Sequence, residues 1–146
     1  MVLHFTIEGG DFTAAGEASS RVKAVLRQLG LEAGLVRRVA IATYEAEMNV
    51  VIHAFRGEME VRIEPGAIEV RVVDEGPGIP DIELAMREGY STAPEAVREM
   101  GFGAGMGLPN MKRCADELSI ESRVGIGTSV QMRFFLDGGR GGESGG

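Results

Sequence analysis

Two alternating hairpins constrain this chain more than any other feature. In MEVRIE and IEVRVVD, the apolar residues Met59, Val61 and Ile63, then Ile68, Val70 and Val72, fall on every second position, with Pro65-Gly66 between the two runs. A period of two puts them on one face of a half-buried antiparallel pair. LSIESRV, GIG and TSVQMRFFL predict a second hairpin, with Ile120, Val124, Val130, Met132 and Phe134 facing inward. Strands apolar on one face need a covering layer, and the remaining sequence supplies helices for it.

Leu3, Phe5 and Ile7 predict a first strand. From Phe12 to Leu29, the residues Ala15, Ala18, Val22, Val25, Leu26 and Leu29 recur at spacings of three and four, and Gly30 is a natural stop. A second helix is expected over 34–54, where Leu35, Val39, Ala42, Ala46, Val50 and Ala54 form one stripe. Pro80 and Asp81 open a short helix that Gly89 closes, and a last helix is expected over 107–118. Residues 90–104 hold turn formers without a period, and a loop of that length is usually functional. The order predicts a two-layer α/β sandwich: a mixed sheet carrying its helices on one face.

A length of 146 residues suits one domain, expected over 1–136 and followed by a flexible Gly-rich tail over 137–146. The net charge of −7 and the lack of clustered Lys and Arg argue against a nucleic-acid partner. No run reaches the roughly 20 apolar residues of a bilayer span, and MVLHFTIEGGDF lacks the features of a signal peptide, so no membrane and a cytoplasmic home are expected. Cys114 is the single cysteine, which excludes an intrachain disulfide and a cysteine metal cage.

Glycine is over-represented, at 22 of 146 residues, and much of it gathers in DEGPG and GFGAGMG. Four local patterns carry chemistry. Glu45 and Asn49, four apart, project from one face of the second helix, a carboxylate able to act as a base beside an amide able to hold a hard cation. Asp74 ends an apolar strand and is followed by Gly76, Gly78 and Ile79, so a carboxylate needing a donor stands where a flat base can approach the backbone. Gly101-Phe102-Gly103-Ala104-Gly105-Met106-Gly107-Leu108 leads into a helix, a place where backbone N–H groups favour phosphates, although it is neither a Walker A loop nor a dinucleotide fingerprint. Gly125-Ile126-Gly127-Thr128 is a tight turn with a hydroxyl at the start of the last strand. Each has a plain structural reading in isolation: a solvated helix face, a turn, a linker, a hairpin.

All four occur in one short chain in one order. ATYEAEMNVVIHA resembles the N box of the GHKL ATPase superfamily, VDEGPGIPD its G1 box, GFGAGMGLPNMKRCADEL its G2 box, and GIGTSV its final Gly-x-Gly-Thr. The likeness spans nearly everything but the tail and implies a Bergerat-type ATP-binding fold. It implies Glu45 as general base and Asn49 as Mg²⁺ ligand. It places Asp74, assisted by Thr128, on the adenine amine, and Gly76, Gly78 and Ile79 along the base. Ser91, Thr92, Gly103, Gly105, Met106, Gly107 and Leu108 then fall to the ribose-phosphate part of ATP.

The small size and EGYSTAP ahead of the G2 box look most like the anti-sigma-factor and stress-regulator kinases. That implies a serine/threonine protein kinase acting with Mg-ATP on a small antagonist protein of the anti-anti-sigma kind, with a sigma factor and a second copy of the chain as further partners. Two other readings stand beside it: a nucleotide-gated binding switch that transfers no phosphate, and a detached histidine-kinase catalytic domain. Ala93 departs from the wider superfamily, many of whose members carry lysine there, and Lys112 and Arg113 are the nearby cations. His53 continues the Glu45–Asn49 stripe, so both a structural role and an approach to the phosphates stay open.

Overall fold

The alternating runs pair as their pattern demands. In the computed structural model, which describes residues 1–87 and 107–136, β1 (Val2–Glu8), β2 (Arg56–Ile63), β3 (Ala67–Glu75), β4 (Glu117–Arg123) and β5 (Gly127–Phe135) form one sheet in the order β1-β2-β3-β5-β4. Met59 faces Val72, Val61 faces Val70, and Val70 faces Met132 on the next strand. These side chains and Phe134 are buried, while Glu58, Arg62, Arg71 and Gln131 on the alternate positions stay exposed.

Four helices, α1 (Glu17–Gln28), α2 (Ala33–His53), α3 (Ile82–Ala85) and α4 (Gly107–Cys114), complete the described elements. α2 crosses the inner face of the sheet between α1 and α4 and buries Val39, Ala42, Ala46 and Val50. The Glu32 carboxylate caps its start, accepting from the Gly34 N–H at 2.8 Å and the Leu35 N–H at 3.0 Å. Those two bonds hold the Glu32 pKa below its usual value.

The two-layer α/β sandwich matches the expectation, but every pairing among the described strands is antiparallel, where a mixed sheet was expected. β3 and β4 do run parallel, joined across α3 and α4. β5 inserts between them, so they share no hydrogen bonds.

Three boundaries also move. α1 begins at Glu17 rather than Phe12, because the Asp11 carboxylate accepts from the Ala14 N–H and Gly16 stands at φ 97°, a left-handed conformation that interrupts a helix. α4 ends at Cys114 rather than Leu118: the Asp116 N–H bonds the Arg133 carbonyl at 2.9 Å and its carboxylate takes the Phe135 N–H at 2.7 Å, which draws the chain into the sheet. Val124 is 68% exposed instead of inward, since the last pair of the hairpin is Arg123 with Gly127 and Val124 belongs to the turn.

The expected residues Ser91, Thr92, Gly103, Gly105 and Met106, most of the expected loop over 90–104, and the tail over 137–146 lie outside the described residues.

Glu47 ties α1 to α2. Its buried carboxylate accepts from the N–H groups of Gly16 at 3.0 Å, Ala18 at 3.2 Å and Ser19 at 3.0 Å, satisfying orphan donors at the α1 start. Glu47→Ala leaves those donors without their acceptor and is expected to cost about 3 kcal/mol, read as a lower urea midpoint with an unchanged slope. A midpoint within experimental scatter of the parent would contradict this capping role.

Candidate functional site

Alternation along β3 turns Val70 and Val72 inward, and it brings Asp74 to the same side at the strand's end. Asp74 is half-buried, and one of its carboxylate oxygens accepts from the Thr128 N–H at 3.0 Å. Burial raises its pKa above the ordinary 3.8, with the Thr128 bond pulling the other way.

The backbone around this carboxylate is packed too closely for side chains. A Cβ on Gly127 would collide with the Asp74 carbonyl oxygen, and one on Gly76 would stand 2.9 Å from the Ala54 Cα at the end of α2. Gly78, at φ 77°, lies against the Arg123 carbonyl in the same way. Ile79 is fixed by its N–H, which donates to the Ser122 hydroxyl at 2.7 Å.

Ser122 is a further member of this group that no local sequence pattern marks. Its Oγ lies 2.8 Å from the Thr128 Oγ1 and 3.2 Å from the Gly127 carbonyl, so it joins the G1-like turn to the Asp74–Thr128 pair. The hairpin register carried the signal, since Ser122 pairs directly across from Thr128.

A second group forms where α2 meets α4. Glu45 and Asn49 are half-buried, one helical turn apart on α2, and a Cβ placed on Gly107 would stand 3.4 Å from the Asn49 amide oxygen. Leu108 is buried beneath the start of α4 and anchors that end in the core. One Glu45 carboxylate oxygen accepts from the Asn110 amide nitrogen at 2.6 Å, and the Asn110 oxygen accepts from Arg113 at 3.1 Å. At the far end, the Arg38 guanidinium donates to the Cys114 carbonyl at 3.2 Å and lies 3.6 Å from the Asp116 carboxylate. His53 sits half-buried in the last turn of α2, and burial lowers its pKa.

Among the described residues, no group of three or more His, Cys, Asp and Glu side chains can cage a metal. A single amide such as Asn49 suits Mg²⁺, which keeps most of its waters and takes further oxygens from substrate phosphates.

The structure therefore gathers Asp74, Gly76, Gly78, Ile79 and Thr128 at one end of α2, and Glu45, Asn49, Gly107 and Leu108 further along it. Asn49 and Glu45 are spaced about 6 Å along the axis. Moving from Ala54 toward the middle of α2, the chain presents the Asp74 carboxylate, then the Asn49 amide beside the start of α4, then the Glu45 carboxylate.

Comparison with known proteins gives the family and the fold. The profile described as "Histidine kinase-like ATPase domain" matches residues 11–134. The chain is 35% identical over 118 residues to the serine/threonine-protein kinase RsbT of Bacillus subtilis (strain 168), covering 77% of this chain and 81% of that one. It is 33% identical over 132 residues to the anti-sigma F factor of Geobacillus stearothermophilus, covering 84% and 87%.

Among solved structures, the RsbU and RsbW domains of a Mycobacterium tuberculosis protein superpose with a TM-score of 0.62 at 16% identity, over 93% of this chain and 32% of that longer one. The SiaB-SiaC complex of Pseudomonas aeruginosa gives a TM-score of 0.62 at 14% identity, over 90% and 88%. These two show the shared fold. A profile match from residue 11 to residue 134 makes the chain a member of the histidine kinase-like ATPase domain family.

Proposed function

We propose that this protein is an ATP-dependent serine/threonine kinase that phosphorylates a small regulatory protein of the antagonist kind. The observation that carries this reading is the Glu45 carboxylate, held on one oxygen by Asn110 and lying on the same helix as Asn49, whose far end packs against the Asp74 turn. The similarity to RsbT and to an anti-sigma F factor supports the choice of acceptor class.

In this reading the Asp74 carboxylate accepts from the adenine amine, Thr128 and Ser122 keep Asp74 in place, and Gly76, Gly78 and Gly127 let the surrounding backbone close around that carboxylate, with Gly76, Gly78 and Ile79 alongside the base. The start of α4 at Gly107 and Leu108 offers backbone N–H groups to the phosphates, and the GHKL resemblance assigns Ser91, Thr92, Gly103, Gly105 and Met106, outside the described residues, to the same nucleotide. The Asn49 amide oxygen would hold Mg²⁺, which would supply charge neutralisation for the triphosphate. Glu45 takes the proton of the acceptor Ser or Thr hydroxyl, whose oxygen then bonds to the γ-phosphorus. The bond from that phosphorus to the β–γ bridging oxygen breaks, and ADP leaves. The anti-sigma likeness extends the set of partners to a sigma factor and to a second copy of the chain, and it fits action in the cytoplasm. No described helix is long and apolar enough to cross a membrane.

The test is incubation of the purified protein with γ-labelled Mg-ATP and a soluble extract of its source organism. An acid-stable labelled band that depends on the added protein is expected. An acid-labile band would point to a histidine acceptor, and ATP binding with no band at all would replace the kinase with a nucleotide-controlled binding switch.

A further inference from the structure

The Glu45–Asn110–Arg113 chain across α2 and α4 is the most specific side-chain network that the adenine and phosphate contacts leave unused. Asn110 bonds Glu45 at 2.6 Å and receives Arg113 at 3.1 Å. An asparagine amide can be placed either way round, but here chemistry decides the orientation. Arginine only donates, so the Asn110 oxygen must face Arg113, and the NH₂ group must then face Glu45. An ionised carboxylate only accepts, which is the partner that NH₂ group requires.

We infer that Asn110 is a positioning residue for Glu45, locking one carboxylate oxygen so that the other is presented to the incoming hydroxyl. This rests on the kinase reading above. A glutamate on a helix face has three side-chain torsions to settle, and general-base action needs its oxygen within hydrogen-bond reach of the proton it takes. Asn110 fixes those torsions from a neighbouring helix whose own position is set at both ends, by Gly107 against Asn49 and by Arg38 on the Cys114 carbonyl. Asn110 also stands one turn beyond Gly107, so the helix whose start faces the phosphates is the one that aims the base.

The experiment compares the parent with Asn110→Leu, Asn110→Asp, Glu45→Gln and the Glu45→Gln/Asn110→Leu double variant, measuring the labelling rate of the protein-dependent band and the ATP dissociation constant. Asn110→Leu removes the donor at similar volume and is expected to slow labelling about tenfold or more, since small misplacements of a reacting group are costly. Asn110→Asp sets a second carboxylate against Glu45, where the pair must share a proton, and is expected to slow it further. Affinity for ATP should stay within about twofold of the parent in both.

In the Glu45→Gln background, Asn110→Leu should cost nothing more, because a group that acts only through Glu45 has nothing left to aim. The inference is overturned if Asn110→Leu labels within about twofold of the parent. It is equally overturned if the loss appears as weaker ATP binding, or if it persists at full size in the Glu45→Gln background; each would mark Asn110 as a structural clasp. A parent protein that labels nothing would instead overturn the kinase reading itself, and this inference with it.

Discussion

Glu45→Gln is expected to slow phosphoryl transfer by about 10²- to 10⁴-fold while leaving the affinity for Mg-ATP within about twofold of the parent, because a general base contributes on that scale and contacts the acceptor rather than the nucleotide. Glutamine keeps the length and shape of the side chain and can still accept from Asn110, so the α2–α4 contact survives. Only the proton-accepting charge is lost. A parallel loss of ATP binding would place Glu45 in the nucleotide pocket, and an unchanged rate would remove it from the chemistry. Labelling kinetics with γ-labelled Mg-ATP, beside a binding titration, separates the three.

The second large effect is expected at Asp74. In Asp74→Asn, the side-chain oxygen stays with the Thr128 N–H, and the new NH₂ group then faces the adenine amine, donor against donor. Losing one acceptor and burying an unpaired donor is worth about 2.7 kcal/mol, or roughly 100-fold in ATP affinity.

A pH dependence follows from the same group. Burial raises the Asp74 pKa, and the ionised form is the stronger acceptor for the amine while the protonated form adds a competing O–H donor, so ATP affinity falls as pH is lowered through that raised value. Stability moves in the opposite sense. A carboxylate with a raised folded pKa contributes stability that is fully present below its ordinary 3.8 and is lost as pH rises through the folded value. Isothermal titration across the acidic range checks the affinity, and the pH slope should vanish in Asp74→Asn. A slope that survives the substitution would assign the titration to another group.

How much could be read beforehand depended on whether a feature was local. The registers of the β2–β3 and β4–β5 hairpins, the α2 stripe and the one-turn spacing of Glu45 and Asn49 follow from periods of two and 3.6, which need no distant partner. The α4 end, the α1 start and the antiparallel sheet do not follow in this way. Asp116 is drawn out of a helix by Arg133 and Phe135, residues far along the chain, and β5 enters the sheet between two strands that precede it. The same distinction explains the site. Asp74 and Thr128 announce themselves beside glycines, whereas Ser122 and Asn110 look like ordinary strand and helix positions until folding sets them against Thr128 and Glu45. Glu47 shows the converse: it is two residues from Glu45, yet its carboxylate turns to the start of α1.

The most direct test of the central claim, that the Asp74 end of this site reads adenine and so positions ATP for transfer, is a calorimetric titration of the purified protein with Mg-ATP and, separately, with Mg-GTP. Saturable ATP binding and at least tenfold weaker GTP binding are expected, because the guanine O6 would bring an acceptor against the Asp74 carboxylate. Equal affinity for the two nucleotides, or no binding of either, would contradict it.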